Sequence, residues 1–155
     1  VWMLIGHASG GKVLMQAGRA AVASVTPAPK LVAVTLLTSM AQRELDEVGV
    51  EGCPEEVVLR LALLAKASGL DGVVCSAQEA AALRAACGAH FSLVTPGIRS
   101  ADAPGDDQQR VMTAGGAVAL GADYLVIGRP ITRASDPLEA LTRINAEIAS
   151  TMEAP

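Results

Sequence analysis

The chain has 155 residues, 51% of them hydrophobic and 18% charged, and carries a net charge of −4 with only 12 Lys and Arg. That is core material for one domain, which excludes a disordered chain, and too little positive charge to displace many counterions from DNA or RNA. No apolar stretch reaches the roughly 18 residues of a membrane span, and three cysteines without a Cys-x-x-Cys pair give no disulfide framework, so a cytoplasmic protein is expected.

With one Trp, one Tyr and one Phe, the core must be aliphatic, which favours helix-on-strand layers and an α/β class. The opening run predicts a strand over Trp2–Ile5, with no basic residues before it to suggest a targeting segment. An Ala-rich helix follows over about Gly10–Ser24, then a second strand over Leu31–Leu37. Pro54-Glu55-Glu56 opens a helix whose Val57, Val58, Leu61, Leu64 and Ala65 make an apolar face, with Glu56 and Arg60 expected to pair four residues apart outside it. The third strand is predicted over Gly72–Cys75, followed by the capping box Ser76-Ala77-Gln78-Glu79. The fourth covers Ser92–Thr95 and the fifth Tyr124–Ile127, and Asp136-Pro137-Leu138-Glu139 starts a last helix with a capping Asp, a Pro in the first position and an acid in the first turn. The strands scarcely alternate, as expected when both faces are buried. Nothing divides residues 1–155, so a single domain is expected. Five βα units make either an open sheet with helices on both faces or an incomplete (β/α)₈ barrel, and periodicity does not separate the two.

In such folds the working residues follow the strands. Gly128-Arg129-Pro130 comes after the fifth: a glycine admits a ligand close to the backbone, and a guanidinium beside it suits a phosphate. The plainer alternative is an Arg bonded to a carboxylate in a loop. Thr95-Pro96-Gly97-Ile98-Arg99 opens a polar segment running to Gln109, either a binding loop or an ordinary surface loop. His7 stands near Ser9 without a third orienting group, so a pocket-lining or structural role is favoured over catalysis. Gly10-Gly11-Lys12 lacks the context of a phosphate-binding loop. Two histidines and three cysteines without ligand spacing give no metal site.

In order, His7-Ala8-Ser9-Gly10-Gly11, Ala33-Val34-Thr35-Leu36-Leu37-Thr38-Ser39-Met40, Asp71-Gly72-Val73-Val74-Cys75-Ser76, Leu93-Val94-Thr95-Pro96-Gly97-Ile98-Arg99 and Tyr124-Leu125-Val126-Ile127-Gly128-Arg129-Pro130-Ile131-Thr132 resemble the bacterial orotidine 5′-phosphate decarboxylases. The resemblance covers nearly the whole chain. It implies the C-terminal part of a (β/α)₈ TIM barrel, with about five βα units present and the N-terminal strands missing, and a homodimer that converts orotidine 5′-phosphate to UMP and CO₂ without cofactor or metal. It further implies that Thr38 contacts the pyrimidine side of the substrate and that Arg99 begins the phosphate loop. Gln108, or Gln109 beside it, would bridge phosphate and base, and Gly128 and Arg129 would grip the phosphate. The family's catalytic Asp-x-Lys-x-x-Asp does not occur: none of Lys12, Lys30 or Lys66 has aspartates at those offsets. No catalytic residue is therefore expected in this chain. The alternatives are a non-catalytic half-barrel that binds phosphate or serves as an assembly partner, and a phosphosugar decarboxylase or epimerase on a related barrel, against which the Thr-Pro-Gly-Ile-Arg and Leu-Thr-Ser segments argue.

Overall fold

The computed structural model describes residues 1–99 and 111–153. Its strands are β1 (Met3–His7), β2 (Lys30–Val34), β3 (Gly72–Val74), β4 (Ser92–Thr95) and β5 (Tyr124–Leu125), one for each strand anticipated. The ends differ. β2 stops at Val34 because Leu37–Met40 is a turn, closed by the Met40 N–H donating to the Leu37 carbonyl at 2.9 Å. The helices are α1 (Gly11–Ala23), α2 (Gln42–Glu47), α3 (Pro54–Ala67), α4 (Ala77–Cys87), α5 (Ala114–Ala119), α6 (Arg129–Thr132) and α7 (Pro137–Met152).

Strand order settles what periodicity left open. The five strands are all parallel and lie in the order β1-β2-β3-β4-β5. A doubly wound sheet reverses its order at a switch point, whereas a sequential order with right-handed crossovers gathers the helices on one face. Leu31, Ala33, Val73 and Leu93 accordingly share one core with Val58, Ala62 and Ala65 of α3 and Leu83 of α4. The sheet is also rolled. Trp2, just before β1, and Tyr124, at the start of β5, bring their ring centroids to 5.3 Å, although four strand spacings of a flat sheet would hold those strands roughly 19 Å apart. This is an arc of a barrel wall.

Burial on both faces holds for β4, where all four residues are buried, but not for the outer strands. In β1, Leu4 and Ile5 are 40% and 58% exposed, and both residues of β5 are half-buried. Among the described residues each outer strand pairs with another strand on one side only, and a sheet edge that also carries exposed apolar side chains recruits further strands. The isolated chain is expected to self-associate; sedimentation showing a clean monomer over a broad concentration range would contradict this.

The helix starts follow local chemistry. Ser76 donates its N–H to Glu79 Oε2 at 2.7 Å and accepts from Gln78 N at 3.3 Å, the expected box. Glu44 and Glu56 reach back in the same way, to the N–H groups of Ala41 (2.9 Å) and Cys53 (3.1 Å). The bond from Ala41 holds the Glu44 carboxyl below the usual carboxylate range. Because Glu56 is turned toward its helix start, the expected Glu56–Arg60 pair does not form, and Arg60 donates to the Glu51 carbonyl at 3.3 Å. An orphan N–H in the first helical turn holds a carboxylate better than an exposed partner four residues on. Asp136 caps α7 as anticipated, accepting from Leu138 N and Glu139 N, both at 3.0 Å.

One device is used twice at the amino ends of the strands. Asp71 Oδ2 accepts from Leu31 N at 2.7 Å and from Arg19 at 3.1 Å. Asp123 Oδ2 accepts from Leu93 N at 2.7 Å and from Arg84 at 2.8 Å. Each aspartate stands two residues after a glycine with positive φ, Gly69 at 83° and Gly121 at 98°, where a side chain would strain the turn. In each case the carboxylate ties the strand it precedes to the neighbouring strand and anchors a helix arginine. These ties lie at the amino end of the sheet, opposite the carboxyl ends of the strands.

Candidate phosphate-binding rim

Because all five strands run parallel, their carboxyl ends form one rim. Thr38 stands there in the turn after β2, buried at 7% exposure. Arg99 follows β4, and Gly128 and Arg129 follow β5, the neighbour of β4. The two arginines thus leave adjacent strand ends, with Thr38 two strands away on the same rim. Gln108 lies outside the described residues.

The turn that carries Arg99 is anchored. Ile98, 2% exposed, packs in a small core with Ala77, Ala114 and Ala117 and forms a bridge with Met112. Arg99 N donates to the Met112 carbonyl at 2.9 Å, and Met112 N donates to Gly97 at 3.3 Å. Gly97 has φ 78°, a conformation suited to glycine. These bonds hold residues 97–99 beside Met112. The Arg99 side chain is half-buried and donates from Nη1 to the Ile98 carbonyl at 2.8 Å. Met112, which anchors that turn, has no signal in the sequence that would single it out.

Gly128 is exposed, and a Cβ built on it would meet nothing within 4 Å. Among the described residues nothing fills the space before it, so their packing does not require glycine there. Its carbonyl accepts from Ile131 N and Thr132 N at 2.9 and 3.0 Å, which turns the chain at once into α6 and leaves Arg129 half-buried at the rim. His7 ends β1 and is exposed; with Ser9, Thr35, Leu37, Met40 and Arg60 it lines a mostly apolar cavity of about 430 Å³. Among the described residues no three His, Cys, Asp or Glu side chains cluster as metal ligands, and no helix is long and apolar enough to cross a membrane.

Residues 1–144 match the family described as Orotidine 5'-phosphate decarboxylase / HUMPS family. The chain belongs to that family. It is 61% identical over 149 residues to the orotidine 5'-phosphate decarboxylase of Chromobacterium violaceum, covering 96% of this chain and 60% of that protein. It is 60% identical over 150 residues to that of Laribacter hongkongensis, covering 97% and 62%. The crystal structure of orotidine 5'-phosphate decarboxylase from Lactobacillus acidophilus superposes with a TM-score of 0.81 at 38% identity, over 96% of this chain and 63% of that one. The enzyme from Sulfolobus solfataricus, at 21% identity and a TM-score of 0.66, shares the fold. The chain therefore spans about three fifths of the length of these decarboxylase relatives, and its five strands correspond to an arc of their barrel.

Proposed function

We propose that this chain is the part of an orotidine 5′-phosphate decarboxylase that holds the substrate's phosphate and one edge of its pyrimidine. The complete protein would convert orotidine 5′-phosphate to UMP and CO₂ in pyrimidine biosynthesis, as a homodimer in the cytoplasm. The observation that carries the reading is the emergence of Arg99 and Gly128-Arg129 from neighbouring strand ends, with no described residue within 4 Å of the position a Cβ on Gly128 would take. A phosphate monoester carries close to two negative charges, and two guanidinium forks on one rim meet its oxygens through charge-assisted bonds. Thr38 supplies a hydroxyl toward the pyrimidine, and the family resemblance gives Gln108, or Gln109 beside it, the role of linking base and phosphate.

Decarboxylation leaves charge at C6 of the pyrimidine, which an ammonium fixed between carboxylates stabilises and then protonates. The chain contains no Asp-x-Lys-x-x-Asp to provide one. Its own residues bind and orient the substrate without supplying that proton. The purified 155-residue chain is expected to release no CO₂ from orotidine 5′-phosphate, and co-expression with a segment bearing the motif is expected to restore turnover. Turnover by the chain alone, followed with carboxyl-labelled substrate, would overturn this division of labour.

A further inference from the structure

Thr95 ends β4 with 0% of its surface exposed, and its Oγ1 has no hydrogen-bond partner among the described residues. Burial strips a hydroxyl of its water bonds, and nearly all buried polar groups recover them from the protein. Thr35, which follows β2, does so: its Oγ1 donates to the Val74 carbonyl at 2.9 Å. Valine has almost the shape of threonine, suits a strand equally well and has no hydroxyl to satisfy. The fold alone therefore favours valine at position 95. Departures from local consistency gather where function uses them, and position 95 borders the anchored turn. Pro96 has no N–H, so the first main-chain donor beyond Thr95 is that of Gly97, itself buried and held at φ 78°. Two residues on is the spacing at which a threonine oxygen accepts from the backbone to fix a turn.

We infer that Thr95 is a positioning residue for the anion-binding turn. With a phosphate monoester held by Arg99 and Arg129, its Oγ1 accepts from Gly97 N–H and sets the direction in which Arg99 leaves the strand. This rests on the phosphate reading given above. Thr95→Val and Thr95→Ser are to be compared in the protein carrying whatever sequence precedes Val1, by thermal melting and by calorimetry with UMP, inorganic phosphate and uridine. Thr95→Val is expected to melt no lower than the parent, to bind UMP and phosphate about fivefold to tenfold more weakly, within the range for one net hydrogen bond, and to bind uridine unchanged. Thr95→Ser, which keeps the oxygen, restores UMP affinity. Undiminished UMP affinity in Thr95→Val, or equal losses for UMP and uridine, would overturn the inference. Arg129→Ala separates the two levels. If it weakens UMP binding while Thr95→Val does not, only the role of Thr95 fails; if neither does, the phosphate reading has failed and this inference with it.

Discussion

Arg129→Ala is expected to weaken UMP binding by about 2–3 kcal/mol while leaving uridine binding nearly unchanged. The lost interaction is a charge-assisted bond to phosphate, and bonds to charged groups lie at the upper end of the hydrogen-bond range. Arg129 is half-buried at the start of α6, four residues after β5, so water compensates for its removal only in part. Arg129→Lys is expected to recover only part of the loss, since an ammonium retains the charge without the planar fork. Calorimetry on the parent and Arg129→Ala with UMP and with uridine decides the matter. Equal losses for the two ligands would mean that Arg129 supports the fold and has no part in holding the phosphate. High salt should reduce the UMP advantage of the parent, because an interaction at an open rim is screened.

The largest effect on stability is expected at Arg84, which bonds Asp123 at the amino end of the sheet, opposite the candidate rim. Its Nη1 donates to the carbonyls of Gly88 (3.0 Å), Ala89 (3.0 Å) and Phe91 (2.8 Å). Its Nη2 donates to the Gly121 carbonyl and to Asp123, both at 2.8 Å. One guanidinium thus closes the loop after α4 and ties it to the turn before β5. The side chain is 24% exposed, so most of these acceptors would lose a partner without full access to water. Arg84→Leu is expected to cost about 3 kcal/mol in urea denaturation, less than the sum of five bonds because several share one donor. Arg43 provides the contrast. It pairs with Glu47 at 2.9 Å on an exposed face of α2, 83% and 57% exposed, and Arg43→Ala should cost less than about 0.5 kcal/mol. Losses of similar size at the two positions would refute the view that Arg84 is a hub.

Much of the candidate site was legible in the sequence because it is written in short segments. Gly128-Arg129 and Pro96–Arg99 follow apolar runs, and in a parallel sheet that suffices to place them on one rim. Gln108 could be named only by its spacing within the polar segment, and it lies outside the described residues. The cavity beside His7 involves Arg60 from α3 and Leu37 from the turn after β2, residues that no spacing rule connects.

The sequence by itself determined the five strands, the helix starts at Ser76, Pro54 and Asp136, and the family, since each depends on groups within a few residues of one another: apolar runs, a capping oxygen, a proline, a motif. The Glu56–Arg60 pair that spacing predicts is absent for a reason on the same local scale: two acceptable partners compete for one carboxylate, and the helix start prevails. Apolar periodicity left the order of the strands and their curvature open; the family resemblance implied them, and the tertiary structure shows them in the strand order and in the contact of Trp2 with Tyr124. Tertiary structure alone decided that Arg84 would hold Asp123, 39 residues away, and that Thr35 would find a partner for its hydroxyl while Thr95 would not. The physical reason is reach. Periodicity and capping act across about one helical turn, whereas an aspartate that pins a strand or a hydroxyl left without a partner depends on which strand comes to lie alongside, and that is fixed only when the sheet assembles.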